Sequence, residues 1–451
     1  MDRADIFAPD FRATPYWWDE AEPSTSEEGN LPAKVDVCIV GGGYTGLSCA
    51  IELARNGTSC LVFDAWRIGE GASSRNGGLV TPAVKLATSS YAAGLGTEGQ
   101  KKLAEEAVGT FGFLASLIER EDIDCDFAKV GRFSCAYSSK HYDDMARSTE
   151  TAARLTGAAA YMVPRARQRE EIGSDYYYGG QVLEEAATVH PAKLLKGLAA
   201  AAAAGGAQLV GNCRVIGLDR AADGWKVSTE FGEVRADNVL LATNGYTPVE
   251  TPWFRRRVVP VASFMIATEE LPEDLARELL PNARAVADTR RVLNYFRLSP
   301  DGQRVLWGGR VGVKSMDAHE SGRRLHSVMT QIWPQLRDVR ITNSWNGNVG
   351  FTFDYMPHLG SLDGIHYALG CQGSGVAMQS WLGFQSARSM LCGGTSNSAF
   401  ANLPFPTKPF YRGDPWFLPT ILAWYRLRDL FDRRERFAKR RRPVSYLEFT
   451  W

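Results

Sequence analysis

Gly41, Gly43 and Gly46 stand at G-x-G-x-x-G spacing, enclose Tyr44 and Thr45, and are followed by Asp64. Such a set can hold a dinucleotide. The first glycine makes a tight turn, the second lets backbone approach a pyrophosphate, and the third lets a helix pack on a strand. Free N–H groups at the helix start favour phosphate charge. Asp64 closes the apolar run Cys60-Leu61-Val62-Phe63 and can accept hydrogen bonds from ribose hydroxyls. The spacing has value only in context, and the context is present: Val35 to Val40 reads as a buried strand, and the residues after Gly43 open a helix.

A second small-residue segment bears on which dinucleotide this is. Asp64 and Ala65 lead through Trp66 to Glu70 into Gly71, Ala72, Ser73, Ser74, Arg75, Asn76, Gly77 and Gly78. A loop of this kind can run along an extended ligand and offer backbone N–H groups, hydroxyls and one cation. That suits the ribityl–pyrophosphate arm and ring edge of FAD better than a nicotinamide. No second G-x-G-x-x-G follows a strand, which argues against an NAD(P)H-using monooxygenase. Arg75 and Asn76 are expected beside the flavin N5 edge, with the alternative that Arg75 pairs with a carboxylate.

The elements that must position these groups alternate along the chain. Helical periodicity marks 101–120, 142–156, 192–204 and 323–336, and strand patterns mark 125–137, 209–218, 224–229, 239–243 and much of 258–310. Gly370-Cys371-Gln372-Gly373-Ser374-Gly375 opens a long apolar helix from Val376 to Leu391. Nucleotide-type and strand-rich segments are therefore interleaved, in a mixed α/β chain. The expected division is an irregular N-terminal arm (1–30) whose aromatics Tyr16, Trp17 and Trp18 dock on the body, and a discontinuous FAD-binding Rossmann-like domain (31–90, 190–255 and 340–395). An antiparallel-sheet substrate domain (91–189 and 256–339) and a basic C-terminal tail (396–451) complete it.

Lys plus Arg and Asp plus Glu are equal at 51 each, so no global field recruits nucleic acid or a membrane. The eight cysteines are scattered singly, and no Cys/His cluster suggests a metal. Unpaired thiols fit a reducing compartment, the N-terminus lacks the plan of a signal peptide, and no apolar run is long enough to span a bilayer. A cytoplasmic location is expected.

The chain resembles the FAD-dependent amine and amino-acid oxidases of the D-amino-acid oxidase (DAO) superfamily, and within it the gamma-glutamylputrescine oxidase branch. Five blocks carry the resemblance in order: VDVCIVGGGYTGLSCAIELARNG, GEGASSRNGG, LLATNGYTP, NGNVGFTFDYMPHLG and GCQGSGVAM. It implies a glutathione-reductase-type flavoprotein fold. It implies that Val215 passes the adenine, that Thr243, Asn244 and Gly245 close over the dinucleotide, that Gly373, Ser374, Gly375 and Val376 line the flavin's pyrimidine edge, and that Gln372 beside them also contacts the cofactor. A helix start there suits the negative charge of reduced flavin. Sarcosine-type relatives tether flavin through a cysteine near the position of Gly347, which has no thiol, so the FAD is expected to be non-covalent.

On the probable strand Asn294-Tyr295-Phe296-Arg297, Tyr295 and Arg297 share a face. Tyr295 could wall an amine site and Arg297 could hold an acidic substrate end by a bidentate contact, or both could face solvent. Arg310 is a similar candidate, while His190 and His358 read as structural. The expected reaction is hydride transfer from a substrate C–N bond to flavin N5, giving an imine that water hydrolyses, with oxygen reduced to hydrogen peroxide. The expected substrate is a gamma-glutamylated polyamine or N-alkyl amino acid. The alternatives are a D-amino-acid dehydrogenase passing electrons to quinone and a flavin-containing scaffold subunit of a multi-subunit amine dehydrogenase. The tail carries nine cations between Arg426 and Arg442. It could lie on an anionic membrane as a peripheral contact, or dock on the acidic first thirty residues or a second subunit. The neutral net charge favours docking within the protein or its assembly.

Overall fold

The computed structural model describes residues 6–24, 31–87, 89–310, 312 and 316–434. Two large sheets organise it. The first has the strand Lys34–Val40 at its centre, parallel to both Gly232–Leu241 and Cys60–Phe63. Gln208–Val210 extends it on one side, and the meander Val215–Ala221, Gly224–Thr229 and Gly232–Leu241 on the other. Ile365–Leu369 joins Gly232–Leu241 in parallel, with His358–Leu362 antiparallel to it. Val37 and Ile39 pack into the core that includes Leu47, Leu198 and Leu382. Cys38 and Val40 pack on the opposite face, with Trp225 and Val227. Burial on both faces explains why this strand reads as an unbroken apolar run rather than an alternating one.

The helices Tyr44–Arg55 and Gly375–Leu391 cross at close range on that sheet. Ser48 Oγ donates to the Ser380 carbonyl at 2.7 Å, and Thr45 Oγ1 donates to Gln379 Oε1 at 2.7 Å. A side chain at Gly383 would fall 2.1 Å from the Thr45 carbonyl oxygen. This contact brings the starts of the two helices together.

The second sheet has nine strands, mostly antiparallel. Their order is Phe7–Arg12, Ile341–Phe351, Val259–Thr268, Val305–Gly309, Asn294–Leu298, Ala285–Asp288, Arg132–Cys135, Gly180–Leu183 and Ala160–Val163. One face packs as a core: Phe296 stacks on Trp307 with ring centres 4.2 Å apart, and Phe264 and Trp333 join them. The other face carries Ser263 and Tyr295, which with Leu293 and Ala287 line a cavity.

Three sequence expectations change. The N-terminal arm is not irregular: Phe7–Arg12 is an edge strand, parallel to Ile341–Phe351, where Pro9 costs no interior ladder bond. The boundary at residue 340 also moves, because Ile341–Phe351 pairs with Val259–Thr268 along nearly its whole length and so belongs to the nine-stranded sheet. The helix expected at 323–336 begins earlier, at Ala318, because Asp317 caps it by accepting from the His319 and Glu320 N–H groups. The expected docking of aromatics is present: Trp17 is fully buried and donates from Nε1 to the Asn76 carbonyl at 2.8 Å.

The tail forms a helix, Leu418–Arg434. Two of its acids and one of its cations anchor it: Arg433 lies over the Tyr176 ring at 4.0 Å. Asp429 and Asp432 are buried against Arg291, and Asp432 Oδ2 lies 3.3 Å from His141 Nε2. The run Arg436 to Arg442 lies outside the described residues.

Candidate functional site

Two cavities meet at the start of the helix Tyr44–Arg55. One encloses about 930 Å³ and the other about 1230 Å³, both opening to solvent, and they share Tyr44, Ala72, Ser73, Asn244, Asn348 and Gln379. Together they make one trench running from the centre of the parallel sheet to the nine-stranded sheet.

The first end is lined by Gly41, Gly43, Thr45, Asp64, Ala65, Gly71, Val215, Thr243 and Gly245, as well as the shared residues. Gly41 has φ +113° and a side chain there would meet the Ala242 carbonyl oxygen at 2.7 Å, so the turn requires glycine. Asp64 Oδ2 accepts from the Gly42 N–H at 3.0 Å and Oδ1 from the Trp66 N–H at 3.1 Å. Burial pushes its carboxyl up to about 6, against the lowering effect of those N–H groups. Each oxygen keeps capacity for a further donor. In the middle of the trench, Ser73 Oγ accepts from the Tyr44 N–H at 3.1 Å. A hydroxyl that accepts in this way can still donate to a phosphate oxygen.

The second end is lined by Asn76, Gly77, Gln372, Gly373, Ser374, Gly375 and Val376. The helix Gly375–Leu391 opens here, and its cap residue Ser374 makes no side-chain cap bond. Its first-turn N–H groups are therefore available to an electron-rich ligand edge. Asn76 also braces its own loop: Nδ2 donates to the Ser73 carbonyl at 2.8 Å and Oδ1 accepts from the Gly78 N–H at 2.9 Å.

Several sequence candidates do not line either cavity. Gly46 lies beneath the turn, where a side chain would meet the Gly41 carbonyl oxygen at 2.0 Å. Ser74 is buried and donates to the Gly69 carbonyl at 2.6 Å. Gly78 packs against the Val189 carbonyl, and Gly347 against Arg75, Ala72 and Tyr246. Arg75 donates from Nε to the Glu70 carbonyl at 2.6 Å, approaches the Glu70 carboxylate at 3.7 Å and lies under the Trp18 ring at 4.5 Å. Those contacts match the carboxylate-pairing alternative rather than a place at the ring edge. Arg297 shares a face with Tyr295 as expected, but it is buried. Its Nη1 donates to the Val189 carbonyl at 2.8 Å and its Nε to the Leu298 carbonyl at 2.8 Å. These backbone contacts strap the fold, and Arg297 does not line the cavity. Tyr295 does line the cavity, its hydroxyl 3.0 Å from Ser263 Oγ and its pKa raised by burial.

Sequence reasoning missed Tyr246, Asn348, Gln379, Lys85 and Arg132. Gln379 was findable, since it lies one helical turn beyond Gly375. Lys85 and Arg132 are isolated cations with no local signal. They line the second end of the trench together with Arg310, and no Asp or Glu lines it. Lys85 Nζ donates to the Gln372 carbonyl at 2.8 Å. Desolvation at the trench wall, with the charges of Arg132 and Arg310 nearby, pushes its ammonium down to about 8. His190 and His358 are structural, as expected: His190 Nδ1 caps a helix by accepting from the Lys193 N–H, and His358 stacks on Phe405 at 3.9 Å.

A family model described as FAD dependent oxidoreductase (DAO) matches residues 36–387. The chain is 32% identical over 425 residues to the probable oxidoreductase OrdL of Rhizobium meliloti, covering 92% of this chain and 97% of that protein. It is 33% identical over 399 residues to the gamma-glutamylputrescine oxidoreductase of Escherichia coli, covering 87% and 92%. Among solved structures, glycine oxidase from Geobacillus kaustophilus superposes with a TM-score of 0.70 at 21% identity, covering 84% of this chain and 99% of that one. Among the described residues, no helix is long and apolar enough to cross a membrane.

Proposed function

This chain belongs to the DAO family of FAD-dependent oxidoreductases, and from that premise we propose that it oxidises the C–N bond of a small amine or amino acid bearing an acidic group. The observation that carries the reading is the trench itself. It is long, it passes both helix starts, and its second end opens onto Tyr295 and three cations. Those features fit an extended dinucleotide with its ring beside a space for an anionic substrate.

In this reading Asp64 and Val215 hold the adenosine half. Gly43, Tyr44, Thr45 and Ser73 hold the pyrophosphate, and Gly373 to Val376 hold the ring. FAD held there would supply the two-electron chemistry: a hydride acceptor for the carbon beside nitrogen, with the amine converted to an imine for hydrolysis and oxygen, as final acceptor, to hydrogen peroxide. The remaining work falls to the chain. Tyr295, kept protonated by burial and anchored on Ser263, walls the substrate space. The cations orient the substrate's acidic end. Gly347 offers no thiol, which supports non-covalent FAD. The similarity to a gamma-glutamylputrescine oxidoreductase supports an amine remote from its acidic group. The unpaired cysteines of the described chain support a reducing, cytoplasmic setting.

The test is anaerobic addition of an amine and amino-acid panel to the purified yellow protein. Bleaching by members with an acidic group, with peroxide formed on admitting air, is expected. Failure of the whole panel to bleach the flavin refutes the reading.

A further inference from the structure

A third cavity, of about 770 Å³ and open to solvent, lies under the tail helix Leu418–Arg434. Leu418, Ile421 and Leu422 line it from the helix, and Val261, Phe351 and Phe353 line it from the nine-stranded sheet and the turn that follows. The roof is held in place. Arg291, which also lines this space, pairs with Asp429 and Asp432 of the helix.

The cavity continues the trench along the same two strands. Alternate residues of a strand share a face, so Val259, Val261 and Ser263 do. The first two line this cavity, and the third lines the second end of the trench. On the neighbouring strand Phe351 and Val349 stand opposite Val259 and Val261, and they divide in the same way. Arg310 lines both spaces, with its guanidinium 4.7 Å from the centre of the Phe351 ring. Burial pushes that guanidinium down, and the phenols acting on it are Tyr295 of the trench and Tyr355 and Tyr425 of the cavity.

A ligand reaching past Arg310 therefore meets two kinds of surface. Its acidic group has the arginine, and the part beyond has rings and branched alkyl groups. An alkyl or aryl group moved there from water is favoured in proportion to the apolar area it buries. A roofed, mostly apolar space of this size beside a charged group is the usual make-up of a small-molecule site.

We propose that this cavity is an apolar subsite of the substrate site, so that the acidic amine oxidised here carries an alkyl or aryl substituent that passes Arg310 and lodges under the tail helix. The inference rests on the amine-oxidising reading above and narrows its substrate class.

Straight-chain carboxylates probe the subsite without turnover. Acetate, butyrate, hexanoate and octanoate are titrated into the holoenzyme, and binding is read from the flavin absorbance. Affinity is expected to rise by roughly 3- to 4-fold for each CH₂ that enters the cavity. Octanoate, and not acetate, is expected to slow hydrogen exchange of the wild-type protein within residues 418–425. Val261→Phe and Leu422→Trp fill the space from opposite walls, and each is expected to remove most of the octanoate gain. Thermal melts and flavin content show whether each variant is folded. If neither is, the chain-length series and the exchange pattern of the wild type decide. Affinity that does not rise with chain length overturns the proposal. So does a rise that leaves exchange within 418–425 unchanged, or one that survives in both folded variants. The two readings fail separately. Amine-driven bleaching without a chain-length gain removes only the apolar subsite, whereas a chain-length gain without bleaching by any amine removes the oxidation reading.

Discussion

Replacing Gly46 by alanine sets a methyl group against the backbone of the cofactor turn. A Cβ at that position would lie 2.0 Å from the Gly41 carbonyl oxygen and 3.1 Å from Ile39 Cγ2, where ordinary contact begins at 3.4 Å. The close-packed strand and turn leave little slack, so the helix start must retreat by roughly 1 Å. Overpacking of this kind costs about 1–3 kcal/mol of stability. The retreat also carries the N–H groups of Tyr44 and Thr45 away from the phosphates. Loss of one charge-assisted hydrogen bond, at about 1.5–3 kcal/mol, predicts FAD binding weakened by roughly 10- to 100-fold. Gly57→Ala is the control. Gly57 has φ +72° and nothing within 4 Å of its Cβ position, so alanine there brings backbone strain of about 1 kcal/mol and no displacement of the trench. Reconstitution of apoprotein with FAD, followed by fluorescence quenching, gives the affinity, and thermal melts give the stability. Wild-type FAD affinity in Gly46→Ala, or an equal loss in Gly57→Ala, refutes the assignment of Gly46 as the packing residue that sets the phosphate site.

Tyr295→Phe keeps the ring and loses the 3.0 Å contact with Ser263, worth about 0.5–1.5 kcal/mol; kcat/KM for an active amine should fall by less than ~10-fold, and Tyr295→Ala by clearly more. Equal losses in the two would show that the ring does not wall the substrate. Lys85, pushed down to about 8, must be protonated to attract an anion, so KM for an active acidic amine should rise as pH rises through about 8, and Lys85→Met should lack that inflection in the same pH profile. The folded form binds this proton less tightly than the unfolded chain, so the Lys85 contribution to apoprotein stability rises from about pH 8 toward 10.5; equal pH dependence of wild-type and Lys85→Met melts would contradict this. Arg291→Ala leaves Asp429 and Asp432 buried without their arginine and should cost about 3–5 kcal/mol, read as faster hydrogen exchange and proteolysis within 418–434. Burial opposes the charge of Asp432, but hydrogen bonds from His141 and Arg291 hold its carboxyl below the usual range. Its contribution is therefore present at neutral pH and lost on strong acidification, and Asp432→Asn should weaken helix docking at neutral pH and flatten its acid sensitivity.

The parts of the fold that were legible are those where local sequence and tertiary burial agree. The run Val35 to Val40 is apolar because it is buried on both faces, and the glycine turn after it needs its φ +113° residue whatever surrounds it. Alternation correctly put Tyr295 and Arg297 on one face, but period says nothing about depth. Arg297 sits where carbonyls of Gly78 and Val189 converge, and those carbonyls come from segments distant in sequence. Arg75 was undecided for the same reason, because Trp18 and Glu70 close on it only in three dimensions. Phe7–Arg12 carries too few residues and too much polarity to announce a strand; its partner at residues 341–343 makes it one. Lys85 and Arg132 gave no warning, since a cation's meaning depends on whether an acid reaches it.

The edge strand Phe7–Arg12 leaves the ribosome more than three hundred residues before the strand it lies along. Asn343 Nδ2 donates to the Thr14 carbonyl across 329 residues of chain. At roughly 5–20 residues per second, the Tyr16-Trp17-Trp18 segment waits tens of seconds, unsheltered, for the surface that will bury it. Nascent chains of this protein should therefore be held by a chaperone over that aromatic segment until its partner strand has emerged.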